Sequence, residues 1–205
     1  MDVAEEALEK LIAAGLVFHG VLETRDDLPP VNVASYMGHV GPDSGRHGFV
    51  LAHEEKDLGS RFNVEWERLA RDSGLFSPGA GGRPEFLLGV DVAQDTSVDG
   101  ESQSWRWARV TLSDHWDIAG VGCENGILGA GANNPAFIMM SLDGDILVHG
   151  ASWQDGIGAS AVSHPARFEE LRDHAGRIAF AFDWLEPETR EWAERWLAHV
   201  TADLG

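Results

Sequence analysis

Five short runs of β-branched or aromatic residues, all within residues 86–153, constrain the fold of this chain more than any other feature. Turn-forming residues separate them, and short strands joined by turns pair most easily in antiparallel order. The pattern predicts an antiparallel sheet of about five strands. The runs are FLLGVDV (86–92), WRWARVTL (105–112), WDIAGVG (116–122), FIMMSL (137–142) and DILVHGASW (145–153).

The dipeptide Asp143-Gly144 separates the last two runs and predicts a tight hairpin between them. A two-residue type I′ turn needs positive φ at both central residues, and Asp-Gly adopts that conformation at low cost. We therefore expect 137–142 and 145–153 to be neighbouring strands.

Tryptophans lie on one face of the strand predicted at 105–112. Alternation places Trp105, Trp107 and Arg109 on one face and Arg106 on the other, so neither face is purely apolar. A tryptophan on a mixed face is either covered by a helix or belongs to a binding surface. Coverage by a helix is the simpler expectation, and a binding surface is the alternative.

Helical periodicity flanks the predicted sheet on both sides. Residues 3–14 carry apolar side chains, including Ile12, on one face with glutamates opposite, and Gly15 ends that helix. A second helix is predicted at about residues 63–72, and the segment 77–82 is predicted to be a loop.

Two further helices are predicted after the sheet. The first is opened by Ser163 and Pro165 and closes at Gly176, and residues 178–182 are then a short strand or an apolar connector. The second starts at Pro187 and carries Trp192 and Trp196 on one stripe, which we expect to pack into the core.

These patterns together predict an α+β fold, with a central, mostly antiparallel sheet flanked by an N-terminal helix and two C-terminal helices. We expect one domain over residues 1–205. It comprises a helix- and loop-rich N-terminal part (1–85), the sheet (86–153) and a helical C-terminal part (154–205).

The charge of the chain restricts its partners. With 34 acidic against 15 basic residues, the formal net charge is -19, so the phosphate backbone of nucleic acid would be repelled. We expect no direct nucleic-acid binding. No apolar run approaches the roughly 20 residues of a membrane span, and glutamates interrupt the N-terminal region where a signal peptide is apolar. A cytoplasmic protein without membrane contact is therefore the expectation.

His39, His47 and His53 form the first group that suggests a metal site. With Glu55 they could ligate zinc or iron, as in a metal-assisted hydrolase. Their spacing matches no known motif, and His53 is not part of an HExxH helix. We therefore predict no metal, and keep the hydrolase using His39, His47, His53 and Glu55 as an alternative.

Other chemical motifs are incomplete. The glycine-rich segment 120–131 contains neither GxGxxG nor GxxxxGK[ST], and its single Cys123 has no cationic neighbour in sequence. The acids from Asp91 to Glu101 lack the order of a calcium loop, and no serine lies in GxSxG. We accordingly assign no catalytic residue and no cofactor.

Residues 117–174 carry a familiar order of elements. The strand DIAGVG leads to the hairpin FIMMSLDGDILVHG, the polar loop SWQDGIGAS, and AVSHPARFEELRDH, in which a short strand runs into a helix opened by Phe168. This region resembles the C-terminal half of the SUKH (SMI1/KNR4-like) superfamily. The resemblance implies an α+β immunity protein that blocks a toxin, often a nuclease, and it implies no catalytic residues.

The charge is consistent with that role, because an acidic protein complements a basic nuclease. We expect a basic protein partner to be bound by Asp95, Asp99 and Glu101, with Trp105 as the aromatic anchor beside this acidic loop. A DNA-mimic inhibitor, directed at a DNA-binding protein, is a further alternative.

Overall fold

The fold is described here from a computed structural model that covers residues 5–41, 45–92 and 104–204. Within these ranges eight strands form one sheet, and all of their pairings are antiparallel. The spatial order is β1-β5-β4-β6-β7-β8-β2, with β3 beside β4. The strands are β1 (Leu16–Val21), β2 (His47–Ala52), β3 (Ser77–Pro78), β4 (Pro84–Asp91), β5 (Trp105–Leu112), β6 (Phe137–Met140), β7 (Ile146–Trp153) and β8 (Gly156–Ser163).

The helices cover both faces of this sheet. Short 3₁₀ helices at Ser35–His39, Ala80–Gly82 and Pro165–Arg167 and a π-helix at Ile118–Gly122 complete the regular structure of the described ranges. The α-helices are α1 (Glu5–Ala13), α2 (Val31–Ala34), α3 (Leu58–Ser73), α4 (Glu169–Phe180) and α5 (Pro187–Leu204).

Alternation along the strands directs side chains into two separate cores. In β4, Phe86 and Leu88 belong to the first core, which α1 and α3 cover, whereas Leu87 belongs to the second, which α2, α4 and α5 cover. The molecule thus has three layers, helices, sheet and helices. The predicted α+β fold is confirmed, with α1 and the two C-terminal helices on opposite faces of the sheet.

The tryptophan face of β5 is covered, as the helix-covered interpretation expects. Trp107 is buried in the second core with α2, and its indole Nε1 donates a hydrogen bond to the Pro29 carbonyl at 2.8 Å. Trp105, nearer the strand end, is half-buried. The stripe on α5 is also buried, with Trp192 and Trp196 both in the second core.

The prediction of a strand at 116–122 was wrong, because Ile118–Gly122 forms a π-helix with Asp117 as its N-cap. The Asp117 carboxylate accepts hydrogen bonds from the backbone N–H groups of Gly120 at 2.8 Å and Val121 at 3.1 Å. Asn63 on α3 donates to the same carboxylate at 2.7 Å. These bonds close a turn, which a strand does not allow.

Several boundaries also differ from the predictions. The sheet extends outside 86–153 through β1, β2, β3 and β8, and the second helix begins at Leu58 rather than near residue 63. Residues 178–180 continue α4, which passes through Gly176 and begins only at Glu169. In the hairpin between β6 and β7, Gly144 has a φ of 82° and Asp143 does not have positive φ, so the turn is not type I′. Ile12, which was predicted on the apolar face of the first helix, is 68% exposed.

Candidate functional site

A pocket of about 390 Å³ is lined by residues of α2, of strands β4 to β7 and of the segment before β6. Its volume falls in the range of small-molecule and anchor sites, roughly 300 to 1,000 Å³. Trp105, Phe137 and Ile138 form apolar walls, and Asn32, Ser35 and His149 supply polar groups.

Glycine at position 89 creates the space in which α2 approaches the sheet. A Cβ there would lie 2.6 Å from Ile138 Cγ2 and 2.7 Å from Val31 Cγ1, both far inside van der Waals contact. Pro29 and Pro30 directly precede α2, and the hydrogen bond from Trp107 to the Pro29 carbonyl links the start of α2 to β5. Gly89 therefore lets α2 bring Asn32 to the pocket.

Two polar groups of the lining have unusual environments. The Asn32 Oδ1 atom is buried and, among the described residues, has no hydrogen-bond partner. The pKa of His149 is lowered to about 4, first by burial and then by the nearby charges of Arg46 and His39. At neutral pH the pocket therefore offers a neutral imidazole and an unused acceptor. An unsatisfied buried acceptor favours an occupant that donates a hydrogen bond.

The proposed partner-binding residues lie around this pocket only in part. Trp105 lines the pocket, and the Asp91 carboxylate accepts a hydrogen bond from the Ser104 backbone N–H at 3.1 Å, which joins the ends of β4 and β5. Asp95, Asp99 and Glu101 lie outside the described residues.

The alternative metal ligands occupy different surroundings. His39 stacks on Tyr36, His47 begins β2, and His53 Nε2 lies 2.9 Å from the Trp153 carbonyl. Glu55 forms an ion pair with Arg61. In residues 5–41, 45–92 and 104–204, no group of three or more His, Cys, Asp or Glu side chains could hold a metal ion.

Cys123 is buried in the first core rather than placed for chemistry. Burial raises the pKa of its thiol to about 12, and the negative charge of Asp117 acts in the same direction. Its Sγ lies 3.2 Å from the Ile118 carbonyl and 3.4 Å from the Leu128 carbonyl. A thiol held in the neutral form is a poor nucleophile.

Sequence reasoning identified Trp105 and missed His149, Asn32 and Phe137. The available signal was His149 itself, a polar residue inside the apolar run ILVHG.

None of the helices in the described part of the chain is both long and apolar enough to cross a membrane. Comparison with protein-family models, curated proteins and solved structures found no match to this chain.

Proposed function

We propose that this chain is an acidic protein-binding module whose partner is a basic protein. Following the resemblance to the SUKH superfamily, the concrete form of the proposal is an immunity protein that inhibits a toxin such as a nuclease. The partner docks over the mouth of the pocket and inserts one side chain beside Trp105.

The observation that carries this proposal is the position of Trp105. It is half-buried on the wall of an open pocket, and it is the first residue of β5, the strand that follows the acidic segment 95–101 in sequence. Aromatic side chains next to a desolvated pocket are typical energetic centres of protein interfaces. The net charge of -19 supports a basic partner, because it attracts such a protein over long distance.

The test distinguishes the contact that Trp105 makes with the partner from the long-range attraction of the partner by the acidic residues. The immobilised chain captures partners from the source cell, and association and dissociation rates of the captured protein are measured at low and high ionic strength. We expect Trp105→Ala to speed dissociation. The triple variant Asp95→Asn, Asp99→Asn and Glu101→Gln slows association and flattens its salt dependence.

Trp184→Ala is the matched control, because Trp184 is 75% exposed and does not line the pocket. It should bind like the parent. The proposal is rejected if the association rate changes neither with salt nor with the triple substitution and if Trp105→Ala dissociates at the same rate as the parent. A captured DNA-binding protein that DNA displaces supports the DNA-mimic function instead.

A further inference from the structure

Five side chains that can carry positive charge gather around the 3₁₀ helix Ser35–His39, in a chain with more than twice as many acids as bases. They come from the 3₁₀ helix Ser35–His39, the segment before β2, β7 and α4. We call this group the basic cluster. Its members are His39, Arg46, His149, His174 and Arg177.

Ring stacking holds the centre of the basic cluster. The Tyr36 ring lies between His39, with a centroid distance of 4.2 Å, and His174, with a centroid distance of 4.0 Å, and both pairs are within 10° of parallel. Arg177 lies over the Tyr36 ring, with its Cζ 5.1 Å from the centroid. The stack joins α4 to the 3₁₀ helix and keeps the exposed His39 in a defined place.

Arg46 completes the opposite side of the basic cluster. Its Nη1 donates a hydrogen bond to the Gly38 carbonyl at 3.1 Å. Position 38 also lies against His149, because a Cβ built there would be 3.3 Å from His149 Cε1. His149 interacts electrostatically with Arg46 and His39, and His174 with Arg177 and His39. His39 therefore interacts with both His149 and His174, one on each side of the basic cluster.

No carboxylate neutralises these charges among the described residues. Elsewhere on the surface arginines form ion pairs, as in Arg71 with Glu67 and Arg83 with Asp114. In the described part of the chain, neither Arg46 nor Arg177 has a carboxylate within 4.0 Å. Within the described residues, the guanidinium groups of Arg46 and Arg177 therefore have no carboxylate partner, although Arg46 hydrogen-bonds to the Gly38 carbonyl and Arg177 lies 3.4 Å from His174 Nδ1.

The histidines report the sign of the local potential. The pKa of His149 and the pKa of His174 are each lowered to about 4, first by burial and then by neighbouring groups, and every charged group among these causes is a cation. A further positive charge is thus unfavourable here, and a negative charge is favourable. The cationic side chains of the basic cluster thus favour an anion, in contrast to the net charge of -19 of the whole chain.

We propose that the basic cluster is a binding site for an oxyanion, the phosphate or carboxylate group of a small molecule, held between Arg46 and Arg177 above His39. Guanidinium groups donate two parallel hydrogen bonds to such groups. The proposal does not depend on a protein partner.

The test is a titration of the whole chain with inorganic phosphate and, separately, with acetate. Sodium chloride keeps the ionic strength constant, and the imidazole resonances of His149 and His174 are followed by NMR. We expect a saturable shift of both, and an apparent pKa of His149 raised by about one unit at saturation. Saturation by phosphate alone identifies phosphate-bearing ligands, and saturation by both probes extends the class to carboxylates.

Arg46→Gln and Arg177→Gln should each weaken binding by about tenfold or more, since each removes charged donors. Arg68→Gln is the matched control, because it removes the same charge from α3 on the opposite face of the sheet. Thermal unfolding verifies that the variants are folded. Absence of a saturable shift with both probes, or equal binding by parent and both cluster variants, overturns the proposal.

Discussion

Trp196 is a large side chain of the second core. Its side chain is fully buried on α5, although its indole N–H has no hydrogen-bond partner among the described residues. Trp196→Ala should lower the free energy of unfolding by about 3 to 5 kcal/mol, because the lost volume leaves a cavity between α5 and the sheet. Urea denaturation of parent and variant measures this difference.

Trp184 provides the comparison for that substitution. It is 75% exposed and stacks on Phe182 at a centroid distance of 5.7 Å. Trp184→Ala should change the free energy of unfolding by less than about 0.5 kcal/mol. Equal destabilisation by the two substitutions would contradict the account of α5 as the helix that buries its tryptophans.

His149 and His174 make stability depend on pH. An unfolded imidazole binds its proton near pH 6.5, whereas in the folded protein the pKa of both is about 4. Between these values the unfolded chain binds more protons, so acidification favours unfolding. When the pH is lowered from about 7 to about 5, the urea concentration at the unfolding midpoint should decrease. This pH range lies above the range in which most carboxylates titrate.

The variant His149→Gln isolates this effect. It should reduce the fall of the urea midpoint with acidification, because one of the two depressed titrations is gone. His115→Gln, at an exposed position, should leave the slope as in the parent. A parent midpoint that rises on acidification would show that these imidazoles are not kept neutral by the fold.

At the scale of elements, glycine lets β2 pair with β8. A Cβ at Gly158 would lie 2.1 Å from the Phe49 carbonyl oxygen, and a Cβ at Gly48 or at Gly156 would lie 2.2 Å from a carbonyl oxygen of the opposite strand. Gly158→Ala should cost about 1 to 3 kcal/mol, because the backbone of β2 must move away. Amide hydrogen exchange should accelerate in β2 while β4 and β5 remain protected.

Gly176 is a matched control within a helix. It lies inside α4, and a Cβ built there meets no atom within 4 Å. Gly176→Ala should stabilise the protein by about 0.5 to 1 kcal/mol, since alanine loses less backbone entropy on folding. Destabilisation at both positions would mean that the added methyl groups act through something other than the β2–β8 contact.

Elements with strong local periodicity were predictable from sequence. β4, β5 and β7 and helices α1 and α5 lie close to where alternation or helical spacing places them. β2 was not predicted as a strand, and only the end of β8 was expected as a short strand before the helix, because the glycines of both strands are typical of loops. Their pairing joins residues about 110 positions apart. The strand predicted at 116–122 failed because Asn63, distant in sequence, helps Asp117 to close a turn.

The candidate site was predictable only at one residue. Trp105 is conspicuous beside an acidic segment, so local sequence suffices to select it. The rest of the pocket combines Asn32 from α2, Gly89 from β4 and His149 from β7, which only the tertiary fold brings together. The basic cluster was hidden for the same reason, since in sequence its members are spread from His39 to Arg177.

At the scale of the whole molecule, two electrostatic effects oppose each other. Exposed ion pairs such as Lys10 with Glu6 and Arg195 with Asp26 stabilise the fold weakly, each by about 0 to 1 kcal/mol. The net charge of -19 destabilises it, because folding brings the excess carboxylates closer together. Salt screens both effects, and the excess of acids makes repulsion the larger one.

Added salt should therefore stabilise this protein. The thermal unfolding midpoint should rise between about 20 mM and 300 mM NaCl, a range over which the screening length falls well below the protein's diameter. A neutral osmolyte at matched osmolality controls for water activity. Arg46→Gln should show the same rise of the midpoint, because the rise does not come from chloride binding at the basic cluster. A midpoint that falls with salt would mean that the ion pairs outweigh the net repulsion.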